Sequence, residues 1–455
     1  MDNPKLSSDL RNILGDDALT MLADAASQQN DIQFKAILAS SIAQIDKLLS
    51  EQLSDVIQHK EFKALESSWS GLYGLCNLPV SQRRIKIKLL DMSWNRLSTD
   101  LNLSFDLKRS TLYKKVYMQE LDTAGGNPFG MLVVDHKVSV DFSDQQDFDD
   151  LYTLQLISEL GERALCPVLL GVNPHFFGDD QSRQLHDSAR IKRILDSRDF
   201  QSWQLLRTSE SSRFLHLVLP EYFQRTAWNN CAAGFVFNEK HNEQSTLWGN
   251  SVYLLAGNVL REFDRISWFG FLRAYDEFGS YGAIVPEFAG QEITGRVEIF
   301  SEDDGFWAEQ GFVPLSSLYL TEQNGFFSNQ SVWHAPNESS RLLGMLQTNL
   351  MACRFGHYIK AQIRDQLGSY HSADDCRRSL EKWLRNYISE VDYGEDAVMA
   401  RYPLKSCNID LVEDPQDKTR YLCKITLQPQ YQYEILDAHI VLATSVSDKE
   451  VGEAA

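Results

Sequence analysis

The groups in this chain whose types and spacing could do chemistry are few. Val134-Asp135-His136 joins a carboxylate to an imidazole at the end of an apolar run, the minimal parts of an acid/base pair, although a strand end followed by a polar loop has the same composition. Glu302-Asp303-Asp304 resembles half of a calcium loop without the alternating spacing or the closing glutamate, so a solvated loop is the expectation there. Ten histidines are spread singly, none at i, i+4 from another and none beside a plausible cysteine nucleophile. The seven cysteines, Cys76, Cys166, Cys231, Cys353, Cys376, Cys407 and Cys423, form no C-x-x-C pair and read as small buried hydrophobes. No phosphate-cradling glycine loop, nucleophile elbow or H-E-x-x-H helix occurs, so no catalytic residue, cofactor or metal ligand is assigned.

One constellation remains. Between Arg341 and Asp365 four cations face a single acid in a chain whose net charge is −19. At about 100° per residue, Arg354, His357, Lys360 and Arg364 share an arc of roughly 120°, while Met351, Phe355, Ile359 and Ile363 take the opposite side. The helix therefore has a basic face, suited either to a partner of complementary charge or to internal ion pairs with the surplus acids.

The elements that position these groups follow from the apolar periodicity. Phe34, Ile37, Leu38, Ile42, Ile45, Leu49, Leu53 and Val56 recur at helical spacing and predict a long amphipathic helix, preceded by a shorter candidate at Leu10, Ile13, Leu14, Leu19 and Leu22 that Gly15 interrupts. Ile85–Leu90 alternates apolar residues with Lys86 and Lys88 and reads as a strand, as do 131–135, 167–172 and 215–219. Helical patterns are expected at 151–160 and at 248–263. After a second C-terminal helix through Leu380, Trp383 and Leu384, two strands, Tyr421–Leu427 and Ile435–Leu442, form a terminal β-hairpin. The fold class expected is α+β or mixed α/β with several domains, since 455 residues exceed one ordinary core. The acidic balance makes nucleic acid a poor partner, and no segment is long and apolar enough for membrane insertion, so a cytoplasmic protein is expected.

Several phrases in order carry a resemblance: Phe62-Lys63-Ala64-Leu65-Glu66-Ser67-Ser68-Trp69, Leu112-Tyr113-Lys114-Lys115-Val116-Tyr117, Gly125-Gly126-Asn127-Pro128-Phe129-Gly130, Leu247-Trp248-Gly249-Asn250, Gly311-Phe312-Val313-Pro314-Leu315, Cys353-Arg354-Phe355-Gly356-His357-Tyr358-Ile359-Lys360 and Ile363-Arg364-Asp365-Gln366-Leu367-Gly368-Ser369-Tyr370. From about Ile45 onward the chain resembles the large subunit of the type VI secretion contractile sheath, the TssC/VipB family. It departs from that family's pattern at Val134-Asp135-His136, Asp303-Asp304-Gly305 and Ser328-Asn329-Gln330-Ser331, as a divergent or second-copy member would.

The resemblance implies an N-terminal helical arm over 1–60, a mixed α/β sheath region over 61–330, and an inner core over 331–455. It implies a structural protein, not an enzyme, that pairs with a small sheath subunit of the TssB/VipA type, stacks with copies of itself in a helical sheath on a baseplate, and surrounds a tube of Hcp. A ClpV-type ATPase would disassemble it through the arm at Leu10, Ile13 and Leu14. Arg354, His357, Lys360 and Arg364 would face the tube, and Tyr421, Ile425, Leu427, Ile435, Ile440 and Leu442 would exchange strands between neighbours. The alternatives are a non-polymerising scaffold of sheath descent and a cytoplasmic mixed α/β enzyme.

Overall fold

The computed structural model describes residues 20–21, 23–24, 27, 31–123, 125–140, 148–178, 185–232, 235–242, 245–275, 282–319, 321, 323–366, 373–388, 402–413, 420–429 and 440–447. Its contacts gather into two compact units. One takes the described residues of Met1–Ser70 and Phe223–Gly249, the other those of Gly71–Tyr222 and Asn250–Ala455.

In the first unit, helix α1, Asp31–Ile57, runs without glycine or proline, with Asp31 favourably placed in its first turn. Helix α2, Lys60–Cys76, follows after a two-residue break and carries the chain into the second unit. Two short two-stranded pairs, Asn229–Ala232 with Val236–Asn238 and Tyr222–Arg225 with Leu247–Gly249, accompany these helices.

The second unit is built on a parallel sheet ordered β1 (Leu132–Val138), β2 (Val168–Val172), β3 (Leu215–Leu219), β4 (Phe312–Pro314). Parallel strands need crossovers that cover both faces, which is why β2 and β3 are continuous apolar runs with every residue buried. Alternate side chains serve different cores. Leu170, Leu217 and Phe312 join helices α3 (Trp94–Leu103) and α4 (Asp150–Ala164) around Trp203, Trp307, Phe176 and Phe177. Leu169, Val218 and Val313 point the other way, toward helix α5 (Val252–Ile266). The first core is aromatic, with Trp203 stacked on Phe312 at 5.1 Å between centroids and Phe176 edge-on to both. Side-chain caps fix the helix starts: Ser93 accepts from the Arg96 amide and Asp149 from the Leu151 amide.

A third core holds the C-terminal elements. Phe355 and Ile359 of α6 (Leu346–Gln366) and Leu380 and Leu384 of α7 (Ala373–Leu384) pack with Leu404, Ile409, Ile425 and Leu427 of an antiparallel sheet. That sheet is a meander of β5 (Leu404–Glu413), β6 (Arg420–Pro429) and β7 (Ile440–Ser447), with β6 in the middle.

The strands expected at 131–135, 167–172 and 215–219 are present, as is the helix through 151–160. Three expectations are corrected, and one lies partly outside the described residues. The terminal hairpin has a third strand, β5, whose mixed sequence LKSCNIDLVE hides its period. The last strand is present over Ile440–Ser447, and the part expected from Ile435 up to it lies outside the described residues. The helix expected from Trp248 starts at Val252, because Leu247–Gly249 forms a short strand. The stretch 85–90 takes no regular structure and pairs with no strand among the described residues. Its alternation encodes a preference that only a neighbouring edge can satisfy.

Candidate interaction surfaces

The candidate acid/base pair at Asp135 and His136 is held in a closed hydrogen-bond network. His136 stacks on Trp94 at 3.9 Å with rings 7° apart, and its Nε2 lies 2.9 Å from Asp150 Oδ2. Asp150 also accepts from Trp94 Nε1 at 2.6 Å and from the Ser139 amide at 3.0 Å, so its oxygens are taken up in fastening α3 to α4 and β1. Asp135 accepts from Asn250 at 3.1 Å. Nor is Glu302-Asp303-Asp304 an open loop. Asp304 begins a short helix, is buried, and accepts from the Ser316 hydroxyl; burial pushes its carboxyl up to about 7.

No group of three or more metal-ligating side chains occurs among the described residues. At the carboxyl ends of β2 and β3, where parallel sheets tend to hold ligands, a cavity of about 20 Å³ lies against Asn173, Phe177, Pro220 and Glu221. It admits about one water. Its buried carboxylate, Glu221, is paired with Arg296 at 2.6 Å and with Lys137.

The basic face of α6 requires a correction. The sequence suggests that burial leaves those charges free, yet three of the four are engaged within the chain. The Arg354 guanidinium sits over the rings of Phe263, Tyr358 and Trp268 at 4.5, 4.9 and 5.5 Å, and burial lowers its pKa. His357 is buried, with Nε2 3.0 Å from the Ala164 carbonyl oxygen, and burial lowers its pKa too. Lys360 donates to Tyr117 Oη at 2.7 Å and to Asp122 at 2.8 Å. Burial works to lower its pKa, but these two partners outweigh it and the net shift is upward. The physical reason is that α6 is packed on both sides, by the third core and by residues 117–122 and 164. Of those partners, Ala164, Asp122 and Tyr117 stand 193, 238 and 243 residues upstream, where helical periodicity carries no signal. The side chain of Arg364 lies outside the described residues.

The hairpin residues divide similarly. Ile425 and Leu427 are fully buried in the third core, so they hold the sheet to α6 and α7. In the ladder Ile425 pairs with Leu442, Leu427 with Ile440, and Tyr421 with Val446, leaving β5 and β7 outermost among the described strands of the meander, with one isolated bridge from Leu404 of β5 to Ile388. Leu10, Ile13 and Leu14 lie outside the described residues.

A further surface is one that amphipathic reasoning misassigns. On α1 the serines turn inward: Ser50 Oγ accepts from the Asn238 amide at 3.2 Å, and Ser54 Oγ accepts from the Lys240 amide at 3.0 Å while donating to Ser50 O. The apolar side turns out. Leu38, Ile42, Leu49, Leu53 and Val56 fall within an arc of about 60° and are 38–56% exposed. Helix α2 repeats the pattern, with Phe62, Leu65 and Trp69 exposed along one line. Its polar side is pinned by Arg225, which bridges Glu66 (2.7 Å) and Glu239 (3.0 Å) and stacks over Trp228. The carboxylates outweigh the burial of that guanidinium and raise its pKa. Serine spacing, Ser50 and Ser54 one turn apart, is the signal that could have located the inner side.

A polar-bonded unit with outward apolar helices and a terminal sheet with outer strands are the surfaces that an assembling subunit presents. Residues 39–333 match the family described as EvpB/VC_A0108, tail sheath N-terminal domain (VipB), and residues 335–446 match that family's tail sheath gpW/gp25-like domain. The chain belongs to this VipB (TssC) tail sheath family and is a contractile-sheath subunit. It is 27% identical over 458 aligned residues to the type VI secretion system sheath protein TssC1 of Pseudomonas aeruginosa, covering 94% of this chain and 90% of that protein. Two solved structures share 7% identity with it. A sheath tail protein from Desulfitobacterium hafniense is matched over 66% of this chain and 62% of that one at a TM-score of 0.30. The contracted sheath complex of an extracellular contractile injection system is matched over 67% and 65% at 0.33. Overlaps at those scores support no residue-level transfer.

Proposed function

We propose that this large sheath subunit pairs with a small subunit of the TssB/VipA type through the outward apolar faces of α1 and α2. The pair would then repeat as a helical sheath around an Hcp tube in the bacterial cytoplasm. The observation that carries the reading is the inverted α1. A helix that hydrogen-bonds its serines to its own unit and leaves five aliphatic side chains in water is stable as a surface only when another chain covers it. Its role is structural, without catalysis. Attachment to a baseplate and disassembly by a ClpV-type ATPase, engaging Leu10, Ile13 and Leu14, belong to the same reading.

The terminal meander supports strand exchange, since β5 and β7 each present an edge to which a neighbour's strand can add. For the tube contact, Lys360 and Arg364 are the positions to test, because Arg354 and His357 are committed to packing inside the chain. Co-expression with the small subunit followed by electron microscopy tests the whole: tubules are expected. A discrete heterodimer without tubules would favour the non-polymerising scaffold instead.

A further inference from the structure

Six polar side-chain atoms on four residues of the second unit are buried without a hydrogen-bond partner among the described residues: both ring nitrogens of His216, the amide oxygen and nitrogen of Asn329, the Ser331 hydroxyl and Gln347 Oε1. His216 and Ser331 are 0% exposed, Asn329 2% and Gln347 7%. The main chain brings these residues together. Residues 329–332 run between β3 and the start of α6 and are bonded to both sides. The Val332 amide donates to the Leu215 carbonyl at 2.9 Å, the Ser331 amide to the Gly344 carbonyl at 2.8 Å, and the Leu346 amide to the Asn329 carbonyl at 3.0 Å. Side chains alternate along β3, so with Leu215 and Leu217 in the first core, His216 turns to the face where Val218 shares a core with Leu346 and Leu350 of α6. Main-chain groups of Asn329 and Gln330 stand beside its ring without hydrogen-bonding geometry to either nitrogen. The Gln330 side chain is engaged elsewhere, donating to the Arg341 carbonyl at 3.0 Å.

The chemistry of the four selects what they can hold. Burial pushes His216 down to about 3, so at neutral pH its ring is uncharged and offers one donor and one acceptor. The Asn329 amide and the Ser331 hydroxyl also offer both roles, and Gln347 Oε1 accepts. An ion of either sign would find no counter-charge among them, whereas a water donates and accepts. Left bare, six such atoms would cost a large share of a domain's stability. We propose that His216, Asn329, Ser331 and Gln347 form an internal hydration site between β3 and α6 that holds two ordered waters. Two is the number that six atoms require at about three hydrogen bonds per buried water. Both family-matched stretches, 39–333 and 335–446, contribute residues, so these waters bond one to the other. The site lies within one chain and is independent of the sheath pairing.

Oxygen-17 magnetic relaxation dispersion, which counts long-lived internal waters in solution, tests it on the full chain. The parent is compared with a triple variant, His216→Leu, Asn329→Leu and Ser331→Ala, in which the difference cancels waters held elsewhere. The variant should lose two waters, and an equal count in the two proteins overturns the proposal. Melting of the same series gives a second reading. Each single substitution should lower the melting temperature, because it leaves the waters and the remaining polar groups short of a partner. The triple variant should lose less than the three single losses together, since removing the whole set removes the need for water. Additive losses overturn the proposal. Should the triple variant fail to fold, a high-resolution density map of the parent decides. Two waters at about 2.7–3.2 Å from the His216 nitrogens and the Asn329 amide support it; direct hydrogen bonds among the four side chains, or no water density beside them, overturn it.

Discussion

The two compact units bury opposite things. In the second, apolar side chains from β2, β3 and β4 fill cores on both faces of a sheet, with Trp203, Leu217 and Phe312 almost wholly buried. In the first, the inward groups of α1 and α2 are serines, Glu66 and Lys63, bonded to the 224–248 stretch, and the apolar residues look outward. Apolar burial contributes about 25 cal/mol per Å² wherever it occurs, whereas a hydrogen bond exchanged with water contributes only about 1 kcal/mol net. A unit closed mainly by the second kind of contact therefore leaves much apolar area in water that burial against another chain would still stabilise.

The contrast can be broken at several points. The largest effect should come from Trp203→Ala, which opens the aromatic core and should cost about 3–5 kcal/mol in denaturant unfolding. Arg225→Ala should follow at roughly 3 kcal/mol, because it strands the buried Glu239 carboxylate. A loss as small as that of an exposed ion pair would mean the first unit does not depend on its polar bonds. Ser54→Ala should cost about 1–2 kcal/mol, by leaving the Lys240 amide without its acceptor.

Asp304 gives a pH test within the second unit. Its carboxyl titrates at about 7 in the folded chain against an ordinary 3.8, so between those values the folded state holds a proton that the unfolded state has lost. Its contribution to stability therefore falls as pH rises through that window and is level above it. His216, pushed down to about 3 by burial, works in the other direction, adding stability as pH rises from 3 to 6.5. Asp304→Asn should remove the first slope, so the variant's melting temperature should climb more steeply than the parent's between pH 4 and 6.5. Parallel curves would contradict the burial assigned to Asp304.

The smallest effect is expected at Lys360→Glu, which exchanges a partly exposed ion pair with Asp122 for a repulsion and should cost about 0.2–1 kcal/mol. Co-sedimentation of the same variant with tube then separates a docking role from this internal one.

What was legible in the sequence follows the same division. Val168–Val172 and Leu215–Leu219 announce themselves because buried parallel strands need unbroken apolar runs, and the helix through Leu151, Leu154, Ile157 and Leu160 because its buried side keeps helical period. The orientation of α1 was not legible. Periodicity shows that a helix has two unlike sides, and the habit of placing the apolar side inward fails where serines make the contacts within the chain. The basic quartet of α6 was misread for a related reason. The spacing of Arg354, His357 and Lys360 is local, but the rings and acids that engage them, Phe263, Trp268, Tyr117 and Asp122, are brought there by the tertiary fold.

The most direct test of the central claim is Leu49→Glu with Leu53→Glu on the outward side of α1, read by two measurements on one preparation: thermal melting of the large subunit and co-purification of the small one. Exposed as they are, these positions should leave the melting temperature of the chain nearly unchanged, within about 0.5 kcal/mol of stability, while the small subunit is lost from the complex and tubules disappear. A variant that melts early yet retains its partner would show that the aliphatic side of α1 faces the chain's own interior, and would contradict the account.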